Sequence, residues 1–310
     1  MTQRVDRPIF VIGTGRCGLS LVVDLLAQHA ALAWFSQWTD KFPASRWAPS
    51  VPYWYRKPLL KQLFDVAGLV TGRNFKPHPD ECFRAFERHF RGFARPYRPL
   101  TRLDLDHGAR RGITATVLEQ IRAQRRERFI AELSGWARIA FLREVFPDAK
   151  FIHVVRDPRP TVNSLLNVDW WDGWRGEMSW RWGEIPAKYR GHLNNGSQSF
   201  AALAGIHYNI LIDNILTEAA ELGEGQYLET RFEDVVSATE RQVRRLAEFA
   251  ELEYTPAFDR AWRAVRVFDP NNRRMRIAPW RENLTAEQQA LVARVCGEHI
   301  RRFSYPLEER

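Results

Sequence analysis

The stretch FVIGTGRCGLSLVVDLL, Phe10 to Leu26, constrains this chain more than any other part of it. An apolar run meets a glycine-rich turn, and a second apolar run follows. The pattern reads as a buried strand (Ile9 to Ile12), a loop and a helix from about Gly18 to Gln28. Such a loop gathers backbone N–H groups at a helix N-terminus, where the helix dipole favours an anion. Gly13-Thr14-Gly15-Arg16-Cys17-Gly18-Leu19-Ser20 fits the frame G-x-x-x-x-G-x-S, but an ATP-binding loop carries lysine where this chain has Leu19. Arg16 supplies positive charge instead, and Ser20 adds a hydroxyl. The loop therefore suits a phosphate or a sulfate rather than the end of a triphosphate. The plainer alternative is an ordinary glycine-rich turn, but loop, strand and helix agree on an anion site. Cys17 invites a nucleophile reading, since a thiol at a helix N-terminus is acidified. A cysteine phosphatase loop, however, closes with an arginine six positions on, and here that residue is Val23.

A second unit lies in mid-chain. Arg128 to Glu132 reads as a strand, Trp136 to Phe146 as a helix, Lys150 to Val155 as a strand and Arg159 to Leu166 as a helix. Strand and helix alternating at this spacing indicate a parallel sheet with helices on its faces. A strand is also expected at Gln226 to Glu229, after a long helix from about Phe200 to Glu221. Further helices are expected at Leu59–Val70, Pro79–Phe93, Ile113–Glu127, Ser237–Ala250, Pro256–Val265 and Thr285–Phe303, with irregular chain from Ser36 to Pro58 and from Arg95 to Arg111. The fold class that follows is α/β: a P-loop-like parallel sheet flanked by helices, with helical insertions, in a single domain covering residues 1–310.

Composition narrows the function. The chain has 310 residues, and three cysteines too far apart for a disulfide framework or a zinc site. No apolar run reaches the roughly 18 residues of a membrane span, and the N-terminus lacks a secretory signal, so the expected location is cytoplasmic. The net charge of +9 points to anionic ligands. Forty of the 46 basic residues are arginine, a bias that a GC-rich genome explains as well as function does. No zinc-finger spacing, RNP-like segment or dense basic helix supports a nucleic-acid partner.

In FPDAKFIHVVRDPRPTVNSLL, Arg156 stands at the carboxyl end of a parallel strand, facing the crevice where such sheets bind ligands. Ser164 lies eight residues later in the following helix. Asp157 is placed like a magnesium-handling aspartate, but without a loop lysine it is better read as a helix cap or a support for Arg156.

These two motifs together resemble the sulfotransferases that use 3′-phosphoadenosine 5′-phosphosulfate (PAPS). YLETRFEDV at Tyr227–Val235 is similar to that family's strand ending in Arg-Tyr-Glu-Asp, and RMRIAPWRENLT to its closing segment. The resemblance implies that Gly15, Arg16, Cys17, Gly18, Leu19 and Ser20 hold the 5′-phosphosulfate and that Arg156 and Ser164 hold the 3′-phosphate. It offers Arg273, Arg274 and Arg276 as further nucleotide contacts. The implied reaction is in-line transfer of a sulfuryl group to an acceptor hydroxyl or amine, with adenosine 3′,5′-bisphosphate as the product and no metal ion. Cys17 and Leu19 replace the Ser and Thr common in relatives, so backbone N–H groups, Arg16 and Ser20 must carry the phosphosulfate. A metal-dependent P-loop kinase or NTPase, or a non-catalytic nucleotide-binding protein, are the alternatives on the same fold.

The general base is left open. Glu132 leads because it stands at a strand's carboxyl end, although a salt bridge with Arg138 would occupy it equally well. Glu81 and Asp40 are the other candidates. His107 reads as exposed and His153 as a core histidine. Trp170, Trp171, Trp174, Trp180 and Trp182 crowd one short glycine-containing stretch. Most are expected to pack that insertion onto the sheet, with one or two facing the acceptor. The acceptor is expected to be a small molecule, a glycan or a lipid-linked compound, and the oligomeric state is not readable.

Overall fold

The computed structural model describes residues 4–71, 75–175, 180–193, 199–265 and 280–306. Five strands, β1 (Ile9–Gly13), β2 (Leu32–Trp34), β3 (Arg128–Ser134), β4 (Lys150–Val155) and β5 (Tyr227–Arg231), form one sheet in the order β2-β3-β1-β4-β5. Every pairing is parallel, with Val11 opposite Glu132 on one side of β1 and Ile12 opposite His153 on the other. Both faces of such a sheet are covered, which is why β1 and β4 read as unbroken apolar runs and are buried throughout.

Alternation along the strands divides the core. Phe10, Ile12, Phe129, Leu133 and Phe151 face a layer that holds the helices His107–Gln124 and Ile139–Val145. Ile9, Val11, Ile130, Ile152 and Val154 face the helices Leu19–Leu26, Thr239–Phe249 and Pro256–Arg263. A third cluster joins the helix Pro158–Leu165 to the long helix Ser199–Ala219 and to Ala286–Val295.

Chain order places the site. The loop after β1 leads toward β2, and the helix after β4 leads toward β5, so the connections diverge between neighbouring strands. A crevice opens there, at the carboxyl ends. The core elements match the sequence expectations to within a few residues, and the differences concentrate elsewhere. β2 is three residues long, too short to show a period. The helix expected at Pro79–Phe93 contracts to Phe83–Glu87, because Pro79 bridges to Ser36 and the Asp80 N–H donates to the Phe35 carbonyl at 3.0 Å. The helix expected at Thr285–Phe303 divides at Cys296 into Ala286–Val295 and Gly297–Arg302. Among the described residues no helix is long and apolar enough to cross a membrane.

Candidate active site

The glycine loop takes the shape its sequence asks for. Gly15, Arg16 and Gly18 all adopt positive φ, at 78°, 58° and 94°. At Gly18 a Cβ would also lie 2.2 Å from the Phe232 ring, so glycine is required twice over. Cys17 and Leu19 turn their side chains into the core and can offer a ligand only their backbone N–H groups. Burial pushes the Cys17 thiol up to about 11, against the opposing pull of Thr14 and nearby N–H groups. A thiol so raised is not a nucleophile at neutral pH. Arg16 and Ser20 remain exposed.

The mid-chain motif meets this loop directly. Arg16 Nε donates to Ser164 Oγ at 2.8 Å, and Arg156 Nη1 donates to the Arg16 carbonyl at 3.0 Å. The two expected phosphate grips, 140 residues apart in sequence, therefore share one edge of the sheet. The Arg156 guanidinium lies 4.6 Å from the centre of the Phe232 ring, and its buried Nε has no hydrogen-bond partner. The Tyr208 hydroxyl, at 3.0 Å, donates to the Arg156 carbonyl and fixes its backbone. Asp157 is occupied: Oδ1 caps the helix by accepting from Arg159 N at 2.9 Å, and Oδ2 takes Arg159 Nη2 at 2.6 Å. It supports Arg159 rather than Arg156. Glu233, in the helix after β5, accepts from Asp157 N at 3.1 Å and from the Tyr305 hydroxyl at 2.9 Å, tying the chain's end to the site's floor. Arg273, Arg274 and Arg276 lie outside the described residues.

A cleft of about 650 Å³ opens beside the loop. Thr14, Ser134 and Gly135 form its inner end, at the tips of β1 and β3. Asp40, Asp80, Glu81, Tyr97, Trp136, Trp170 and Trp182 line its walls. Of the three candidate bases, Glu81 and Asp40 line this cleft and Glu132 does not. Glu81 Oε1 accepts from Ser134 N at 3.0 Å, which holds the carboxylate against the end of β3. Burial raises the Glu81 pKa, while Ser134 and the charge of Arg138 oppose that rise. Asp40 lies 3.9 Å from Arg84.

Glu132 points to the opposite sheet face, under the helix Leu19–Leu26. Burial first, and then the charge of Glu81, push its pKa up to about 8, with the Ser20 hydroxyl opposing. The salt bridge expected between Glu132 and Arg138 does not form. Arg138 is buried and donates instead to the carbonyls of Phe93, Ser134, Trp136 and Ala94, pinning the cleft's wall to the end of β3. Sequence reading gave Arg138 no role of its own, because its partners are backbone atoms with no sequence signature.

The tryptophans divide. Trp171 is buried and donates to His207 Nδ1 at 3.0 Å. Trp180 donates to the Gly183 carbonyl at 2.7 Å. Trp182 stacks on His207 at 4.0 Å and, with Trp170, faces the cleft. The side chain of Trp174 lies outside the described residues. His153 is fully buried, with its pKa lowered by burial to about 3 and its Nδ1 bonded to the Tyr227 hydroxyl at 2.7 Å. His107 is exposed at the start of its helix.

Comparison with known proteins bears on the fold and the family. A model of the sulfotransferase family matches residues 8–256. The omega-hydroxy-beta-dihydromenaquinone-9 sulfotransferases Stf3 of Mycobacterium bovis and Mycobacterium tuberculosis are 28% identical to this chain, over 98% of it and 76% of their own length. The crystal structure of sulfotransferase STF9 from Mycobacterium avium superposes with a TM-score of 0.62 at 17% identity, over 99% of this chain and 79% of that one. Sulfotransferase STF1 of Mycobacterium tuberculosis gives 0.52 at 16% identity, over 90% and 76%. The sheet, the loop without its lysine, the paired grips and a match over most of the chain lead to one conclusion: this protein belongs to the sulfotransferase family, and it is an enzyme that takes its sulfuryl group from PAPS.

Proposed function

We propose that this sulfotransferase modifies a hydroxyl at the end of a largely apolar, lipid-type acceptor, with Glu81 as the general base. The observation that carries the reading is the cleft itself. It is walled by Tyr97, Trp136, Trp170 and Trp182 and also lined by Thr14 and Ser134, with the Glu81 carboxylate hydrogen-bonded to Ser134 N. Aromatic walls suit a ring or chain and shed water. The mycobacterial relatives are named for an ω-hydroxylated menaquinone derivative, which has both an apolar body and a terminal hydroxyl.

The residues on the other side of the loop fit the nucleotide donor. The positive-φ turn presents converging N–H groups, Arg16 and Ser164 already touch, and Arg156 keeps an unpartnered buried donor. In this reading the loop N–H groups, Arg16 and Ser20 hold the 5′-phosphosulfate, and Arg156 and Ser164 hold the 3′-phosphate. PAPS supplies the sulfuryl group and a phosphate leaving group. The chain supplies position and charge, which dominate group transfers of this kind. Arg16 and the loop N–H groups neutralise negative charge where it grows. Glu81, held at Oε1 by Ser134 N, takes the acceptor proton on its carboxylate. Glu132, raised toward neutrality beneath Ser20, shapes the electrostatics of that pair without reaching the cleft. The whole edge is built from the ends of β1, β3 and β4, so the chain acts as one catalytic domain.

Labelled-PAPS turnover on a panel of acceptors tests the assignment. Long-chain ω-hydroxy prenyl or alkyl compounds are expected to be sulfated, and Glu81→Gln to abolish it. Turnover confined to sugars or amines would overturn the acceptor class, and full activity in Glu81→Gln would overturn the base.

A further inference from the structure

The helix Pro58–Thr71 presents an apolar face to solvent. Leu59, Leu63, Val66 and Val70 recur at helical spacing on one side, and Leu69 adjoins them. Their exposures are 78%, 64%, 57%, 78% and 85%, far above what an apolar helix face keeps when it packs on its own core. The opposite face is anchored. Phe64 meets the rings of Trp38 and Tyr55 edge-on, and Asp65 pairs with Lys76. The stripe is thus held outward by a packed inner face.

Charge surrounds it selectively. Four of the six lysines of the chain, Lys41, Lys57, Lys61 and Lys76, fall within residues 41–76, although arginine is the basic residue nearly everywhere else. Lys57 and Arg125 both lie over the Tyr53 ring, at 5.1 and 4.7 Å, and Arg56, Lys57, Lys61 and Arg125 are exposed near the N-terminal end of the stripe. A contiguous apolar face beside a cationic cluster is the composition of a helix lying in a lipid–water interface, where long basic side chains keep their heads in the headgroup layer. At 14 residues the helix is too short to span. Its position is also apt: Trp38, which packs on Phe64, is two residues from Asp40 on the wall of the cleft.

We propose that this face docks the enzyme on an anionic lipid bilayer, seating the helix in the interface with the acceptor cleft beside it. The proposal deepens the lipid-acceptor reading, but it is read out without turnover. The full chain is floated with vesicles of equal parts phosphatidylglycerol and phosphatidylcholine, with pure phosphatidylcholine vesicles, and with neither. Flotation with the anionic vesicles, lost at high salt, is the expected result. Leu63→Glu/Leu69→Glu should lower vesicle partition about tenfold or more, and Lys57→Gln/Lys61→Gln should lower it by a smaller factor, both with the thermal shift by adenosine 3′,5′-bisphosphate intact. A wild-type chain that stays in the aqueous fraction overturns the proposal. So does a wild-type dimer that Leu63→Glu/Leu69→Glu converts to monomer without any flotation, since the stripe then joins two copies. Flotation without turnover of long-chain alcohols supports docking and removes the acceptor reading instead.

Discussion

The nucleotide side of the site and the acceptor side share the tip of β1, yet they are built by different means. The nucleotide side uses two compact segments, Gly13–Ser20 and Arg156–Ser164, each a strand end, a turn and a helix start. The groups proposed to work there are largely backbone N–H donors plus Arg16, Arg156, Ser20 and Ser164, and the two segments touch through Arg16. The acceptor side gathers Asp40, Glu81, Tyr97, Trp136 and Trp182 from separate stretches of chain, held by contacts such as the Ser36–Pro79 bridge and the four carbonyls on Arg138. A grip made of backbone depends on its positive-φ glycines more than on the side chains between them. A wall made of side chains can be replaced residue by residue, so a shared donor site can serve different acceptors.

The sharpest break of this comparison is Glu81→Gln. It is expected to lower kcat by about 10²- to 10⁴-fold, the usual worth of a general base, while leaving adenosine 3′,5′-bisphosphate affinity unchanged. Calorimetry and single-turnover assays on one preparation read both quantities. Loss of nucleotide affinity would show that the two sides are one unit.

The reverse test is next in size. Arg16→Ala and Arg156→Ala should each weaken bisphosphate binding at least about tenfold, or about 1.4 kcal/mol, as loss of a charge-assisted contact does. Unchanged affinity in folded samples of both variants would remove the donor assignment. Trp182→Ala acts on the other wall. It should raise the acceptor KM about three- to tenfold, the worth of an aromatic contact, without moving bisphosphate affinity.

A further test leaves binding aside and reads the pH dependence of stability at Glu132. Its carboxyl is raised from an ordinary 4.5 to about 8 in the folded protein, so the folded state binds the proton more tightly than the unfolded chain. Stability from this group is complete below about 4.5 and is lost as pH rises through about 8. Glu132→Gln should therefore flatten the fall in Tm between those limits, relative to the parent. A parallel Tm profile in the variant would mean that Glu132 titrates normally and does not feel Glu81.

Legibility follows the same division. Arg16 and Ser20 could be picked out from the loop's frame and Arg156 from its place at a strand end, while Ser164 gained its role from the family resemblance; strand, turn and helix fix their relative positions within a few residues. Cys17 and Leu19 already read as offering only backbone N–H groups, and the burial of both side chains agrees with that. The acid order was not legible. Glu132 ranked first from its place at a strand end, but alternation along β3 turns it under the helix Leu19–Leu26, whereas Glu81 reaches the cleft through a bridge between an edge-strand end and a proline. Glu81's neighbours in sequence, KPHPDECF, look like surface. Trp182 and Trp171 stand in one aromatic run and both meet His207, yet one lines the cleft and the other is buried away from it, and no period in that run distinguishes them.

From the order of residues alone come the parallel sheet, the loop that takes an anion without a lysine, and the arginine and serine that answer it. Those features depend on hydrogen bonds and dihedral angles among near neighbours, which local sequence dictates. Tertiary structure alone decided which carboxylates line the cleft, which indoles wall it and which helix face stays outside. Those outcomes depend on where distant segments are buried against one another, and burial is a property of the packed chain rather than of any stretch within it.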